Sequence, residues 1–243
     1  MKRFISFFAV LFAGGLLANL AAVSAQAGEY PYVVRGNQHL LIGITLDEAA
    51  VRAALPAGLE PADGITGGLN VYTSKGGEGV AAYERSYVWV DLKGYESVNG
   101  TKARYVLWAA TSTGPDKLKM AGLPEVKGQT MLKKDGNSVS GTTTINGKTV
   151  MTTAIMLNEG PKCGPSTGSV NYPCLPKADG KLMITQYTAH LTACAAKPVS
   201  ANIMVDPAHP LAKFKPTKLI WAAFAPELSF SGSPLLPIKA AKQ

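Results

Sequence analysis

From residue 69 to residue 205 apolar and polar positions alternate with a period of two, the spacing of strands that bury one face. Leu69 to Tyr72 is a short strand followed by a turn at Gly76 and Gly77. A long run rich in aromatic and β-branched residues covers 82–90, and another covers 103–110 behind an Asn99-Gly100 hairpin signal. Further strands are predicted over 128–132, 138–145 and 148–157, with Asp135-Gly136 and Asn146-Gly147 at the intervening turns. The pattern resumes over 181–191 and 200–205. Ahead of it, Leu40 to Ile44 reads as a lead-in strand. Thr45 is then placed to cap a short helix, with Glu48 completing a capping box and Pro56 ending the helix. A second short helix is predicted over 116–120. The Gly/Pro/Ser-rich stretch 161–176 reads as an excursion loop, and 219–230, with Trp221 and Phe224, fits either strand or helix.

Many strands at roughly ten-residue spacing and one early helix predict a mainly β protein with a minor α component. The expected architecture is a single antiparallel β-barrel-like domain, closed or nearly so, or a sandwich. Composition agrees: 25 Gly and 16 Pro suit tight turns, and 47% hydrophobic residues with 16% charged exclude a disordered chain or a coiled coil.

Lys2 and Arg3 precede an apolar run over 4–17, and small residues around Ala25 fit a signal-peptidase site. Residues 1–25 are therefore expected to be a signal peptide and 26–243 the mature domain, periplasmic or secreted and free of the membrane after cleavage. Loss of Lys2 and Arg3 takes the formal charge from +8 to +6. The remaining lysines are scattered, without the clustered basic and aromatic stripe of a nucleic-acid surface, so no nucleic-acid partner is expected. A homo-oligomer is compatible with the sequence.

Export makes disulfides available to Cys163, Cys174 and Cys194. A Cys163–Cys174 bond pinning the excursion loop is expected, with Cys194 free and buried, although spacing alone also permits either to pair with Cys194. Three histidines and no Cys-x-x-Cys give no metal-site spacing, and no cofactor is expected.

Gly164-Pro165-Ser166-Thr167-Gly168 matches the pattern of a hydrolase nucleophile elbow, but the strand and helix that must flank that serine are missing from the pattern around it. Asp206 and His209 lie between Pro207 and Pro210, where local capping is the simpler role.

Three short motifs occur in an informative order. Leu55-Pro56-Ala57-Gly58-Leu59-Glu60-Pro61 forms a turn after the helix, Tyr83-Glu84 leads a strand, and Gly122-Leu123-Pro124 follows the second helix. Over about residues 40–230 this resembles the acetoacetate decarboxylase superfamily. The resemblance implies a barrel-like sheet around a cone-shaped pocket. It also implies a Gly-x-Pro-Lys-Lys centre whose first lysine forms a Schiff base with a keto acid. Gly122 and Pro124 match that centre, while Glu125 and Val126 stand at the two lysine positions. A carboxylate cannot form an imine.

Two readings follow. In one, the chain binds a small organic carboxylate or keto ligand without imine chemistry, with Tyr83, Glu84, Arg104, Gly122, Pro124, Glu125 and Lys127 around the pocket. In the other it is a lyase- or decarboxylase-type enzyme in which Glu84 and Glu125 act as an acid/base pair, or Lys127 as the amine. The two differ in whether Glu84 and Glu125 point into one cavity.

Overall fold

The computed structural model describes residues 32–78, 80–112, 122–159, 162–176, 180–196, 200–216 and 218–238. The segment 1–25 and the helix expected over 116–120 lie outside the described residues. In chain order the elements are β1 (Tyr32–Thr45), α1 (Glu48–Ala54), β2 (Thr66–Ser74), β3 (Gly77–Glu78), β4 (Tyr83–Asp91) and β5 (Arg104–Thr111). They continue with β6 (Val126–Lys127), β7 (Gln129–Asp135), β8 (Ser138–Ile145), β9 (Lys148–Met156) and β10 (Cys163–Cys174). Last come β11 (Met183–Ala196), β12 (Asn202–Val205), β13 (Lys218–Gly232) and β14 (Leu236–Pro237).

These strands form two sheets. The larger runs β10-β11-β13-β1-β2-β4-β5-β6, with β14 beside β11 and β3 beside β1; the smaller runs β12-β9-β8-β7. The β5–β6 pairing is parallel, so the large sheet is mixed, not wholly antiparallel as expected. The long strands β1 and β13 carry three register shifts, and β4 and β5 carry another at Val88/Trp89. Such bulges sharpen local bend and twist. The sheet curls on itself, but among the described residues no strand ladder joins β10 to β5 or β6, so no closed barrel forms. Side-chain bonds span the gap instead. Ser97 Oγ donates to the Ser169 carbonyl at 2.6 Å, and Asn171 Nδ2 donates to the carbonyls of Tyr95 and Glu96 at 3.0 Å each.

One face of the large sheet packs on the small one. Leu40, Ile42, Ile44, Leu69, Val71, Val88 and Val90 supply that face, against Val139, Val150, Met151 and Ile155. Helix α1 starts two residues later than a Thr45 cap would put it. Thr45 still pairs with Thr66 in the ladder, and Asp47 is the cap, its Oδ1 accepting from the Ala50 N–H at 3.0 Å.

The cysteine region departs most from expectation. Residues 163–174 form a strand, not a loop, and Cys163 bonds Cys194 directly across the β10–β11 ladder. Cys174 is the free, buried thiol, held protonated by a pKa that burial pushes up to about 12. A run with two glycines and two prolines is tolerated because β10 is an edge strand, where a missing N–H need not face a neighbour. The segment 219–230 is also strand, since β13 sits between β1 and β11 with partners on both sides.

Candidate functional site

The curl of the large sheet encloses a cavity of about 270 Å³ on the face turned away from the small sheet. Strand parity selects its walls. On β4 the residues Arg85 and Tyr87 point inward, and β2 contributes Asn70 and Tyr72, β1 His39 and Leu41. Tyr172, Tyr187 and Phe230 complete an aromatic wall from the far strands. At the rim the Trp221 indole lies flat against Gly43, where a side-chain Cβ would sit 2.2 Å from Nε1.

The polar groups of the cavity form a connected set. Arg85 Nε contacts Glu125 Oε1 at 3.0 Å, and both side chains are nearly inaccessible, at 7% and 3%. The Arg85 guanidinium lies 4.7 Å from the Tyr87 ring centre. Burial opposes its charge, but Tyr72 and Glu125 nearby more than compensate, so its pKa stays well above the usual arginine value. Tyr72 bonds the Tyr83 hydroxyl at 3.0 Å, and burial raises the Tyr72 and Tyr87 pKa values far above the usual phenol range. Asn70 Nδ2 donates to the Tyr87 hydroxyl, while Trp89 Nε1 donates to Asn70 Oδ1 at 3.3 Å. Arg104 stacks over Trp89 at 3.7 Å and pairs with Asp91 at 3.6 Å.

Three of the lining residues keep atoms without such partners. Arg85 Nη2, Arg104 Nε and both ring nitrogens of His39 are buried with no hydrogen-bond partner among the described residues. Unpaired buried polar atoms are costly and uncommon in native proteins, and these have almost no accessible surface of their own. His39 stacks face to face on Tyr72 at 4.2 Å. Its burial, with the Arg85 charge adding to it, lowers its pKa to about 3, so the imidazole is neutral at physiological pH.

The residues singled out from sequence separate into groups. Arg104 lines the cavity, and Tyr83 lies buried behind it against Tyr72. Gly122 and Pro124 hold the segment entering β6. Gly122 has φ +80°, and a Cβ there would lie 2.2 Å from the Leu175 backbone, so this approach requires glycine. Leu123 between them lines the cavity. Glu125 is buried beneath the cavity, committed to Arg85. Glu84 and Lys127 lie elsewhere, in a separate hollow beside Ser112 and Thr130. Period two explains this: Glu84 follows Tyr83 and precedes Arg85, so it points out of the opposite face of β4. Glu84 and Glu125 therefore do not share a cavity, and the acid/base pair lacks its geometry.

Arg85 and His39 were missed. Their signal was present, because Tyr83, Arg85, Tyr87 and Trp89 form one period-two row in which a lone cation sits among aromatics. Ser166 lies on the extended β10 strand, not on a nucleophile elbow, and His190 is exposed on β11. Asp206 Oδ1 accepts the Ala208 N–H and His209 Nδ1 accepts the Leu211 N–H, so both act as local caps. Among the described residues no three His, Cys, Asp or Glu side chains cluster as metal ligands.

No protein-family model matches this chain, and no curated protein matches it. Solved structures do. An acetoacetate decarboxylase from Legionella pneumophila superposes with a TM-score of 0.68 over 86% of this chain and 88% of its own, at 13% identity. The enduracididine biosynthesis enzyme MppR, solved with pyruvate, gives 0.66 over 89% and 92% at 12% identity. An acetoacetate decarboxylase-like enzyme from Sphingomonas wittichii gives 0.63 over 87% and 93% at 15% identity. The chain thus has the fold of the acetoacetate decarboxylase superfamily, as the order of its short motifs implied, and at these identities the likeness extends to the fold alone.

Proposed function

We propose that this chain is an exported protein of the acetoacetate decarboxylase fold that binds a compact organic molecule bearing a carbonyl or carboxylate group, without forming an imine. The observation that carries this reading is the Arg85 guanidinium, a buried cation on the wall of a largely aliphatic and aromatic cavity. Such a site, mostly apolar with a few convergent polar groups, is the usual form of a small-molecule pocket, and about 270 Å³ suits a compact ligand. Glu125 supports the second half of the reading. It occupies the position at which the motif resemblance puts the amine, and its buried pairing with Arg85 gives it a structural and electrostatic role. No described residue on the cavity wall is a lysine. Export is supported by the basic and apolar start of the sequence and by the Cys163–Cys194 bond, which fits an oxidising compartment. No helix of the described residues is long and apolar enough to cross a membrane.

The test is covalent trapping. The disulfide-intact protein is incubated with acetoacetate, and separately with pyruvate, then reduced with borohydride and weighed intact. No ligand-dependent mass increase is expected. An adduct abolished by Lys127→Ala would return imine chemistry to the protein with its nucleophile moved to that residue.

A further inference from the structure

We infer that the cavity selects an uncharged carbonyl compound with an apolar body, in preference to a carboxylate of the same shape. The inference rests on the reading of the cavity as a ligand site and deepens it. Its basis is the charge balance of the wall. Two cations line the cavity, Arg85 and Arg104, and each already faces a carboxylate: Glu125 at 3.0 Å and Asp91 at 3.6 Å. The remaining titratable groups on the wall are His39 and the tyrosines Tyr72, Tyr87, Tyr172 and Tyr187. His39, Tyr72 and Tyr87 are held in their neutral forms by burial. Among the described residues the cavity wall therefore carries no excess positive charge.

Adding a carboxylate would place a second anion on an arginine whose charge Glu125 already offsets. Both side chains of that pair are buried, so solvent would screen the added repulsion poorly, and the ligand would lose its own hydration. A carbonyl oxygen avoids both costs. It accepts a charge-assisted hydrogen bond from the Arg85 guanidinium while the charge of the site is unchanged. The aromatic wall of Tyr72, Tyr87, Tyr172, Tyr187 and Phe230 then accommodates an apolar or aromatic remainder.

A matched pair of probes tests this. Benzylacetone and hydrocinnamate have the same number of non-hydrogen atoms and differ by a methyl group in place of a carboxylate oxygen. Titration calorimetry on the disulfide-intact protein at pH 7 should give benzylacetone an affinity at least tenfold higher. Equal or tighter binding of hydrocinnamate overturns the inference while leaving the cavity a ligand site. Binding of neither overturns both. The double substitution Arg85→Met with Glu125→Leu removes the charge pair together. It should weaken benzylacetone at least tenfold with the far-UV circular dichroism spectrum unchanged, and an unchanged affinity in the folded double variant would also overturn the inference.

Discussion

The strands β1, β2 and β4 show one residue set to the small sheet and the alternate set to the cavity, and the two faces treat polar atoms in opposite ways. On the packed side the void between the sheets is about 10 Å³, against about 270 Å³ on the other. A polar group on the packed side, Ser86, meets the hydroxyls of Thr143 at 2.8 Å and Thr130 at 3.4 Å from the facing sheet, so three buried hydroxyls satisfy one another. On the cavity side His39, Arg85 and Arg104 each keep atoms with no hydrogen-bond partner among the described residues. Dense packing and complete pairing belong together, because an orphaned group in a packed core costs its full desolvation. Where pairing stops, space opens, and the same strand changes from scaffold to site.

The sharpest way to break that contrast is to remove one half of the buried pair. Glu125→Leu leaves the Arg85 charge buried without its carboxylate, and should cost about 3–5 kcal/mol in chemical denaturation. Adding Arg85→Met should restore stability to within about 1 kcal/mol of the parent, since well-packed apolar replacements of a buried pair are often neutral. A single substitution that costs no more than the double would mean that the pair is solvated, and the cavity would lose its electrostatic asymmetry.

A smaller effect compares the two faces at adjacent residues. Leu40 is fully buried in the packed core, whereas Leu41 is half-buried on the cavity wall. Leu40→Ala should cost about 2–5 kcal/mol, because it adds a cavity to the lost transfer energy. Leu41→Ala enlarges a space already present and should cost about 1 kcal/mol, mostly the transfer of the removed groups. Equal costs in urea titrations would show that the cavity side is packed as rigidly as the core.

Much of the fold could be read from period two, because half-buried strands write their inner and outer faces directly into the sequence. The β4 alternation and the Asn146-Gly147 turn between β8 and β9 are examples. What parity could not supply was pairing. Nothing in the composition of 163–174 says that a strand with Pro165 and Pro173 will be tolerated at a sheet edge, or that Cys163 will face Cys194 across it. The parallel β5–β6 contact and the open gap at β10 are likewise consequences of tertiary curvature. The site was half legible for a related reason. Arg104 and Glu125 were found through their strand and motif positions, but Glu84 was chosen over Arg85, and one residue on a strand is the difference between the inside and the outside. His39 carried a weaker signal, since a lone histidine at a strand position does not announce whether its nitrogens find partners.

The smallest effect concerns that histidine, and its sign follows from linkage. In the unfolded chain His39 titrates near 6.5, while in the fold burial, together with the Arg85 charge, holds it down to about 3. Between those values the unfolded state binds more protons than the folded one, so acidification favours unfolding. The contribution is complete above pH 6.5 and is lost progressively as pH falls from about 6.5 toward about 3, on the order of 1 kcal/mol per pH unit. Asp47 and Asp206 also have lowered pKa values, through an Ala50 N–H bond and a Lys148 contact, but they titrate at more acid pH. His209, lowered by its partial burial, adds a slope of the same sign that both proteins in the comparison share. His39→Phe keeps a ring against Tyr72 and removes the titration. Urea midpoints between pH 6.5 and 4.5 should therefore fall less steeply in His39→Phe than in the parent. Identical slopes would mean that the folded imidazole accepts a proton readily, and a charged His39 would add to Arg85 the positive excess that a carboxylate ligand needs.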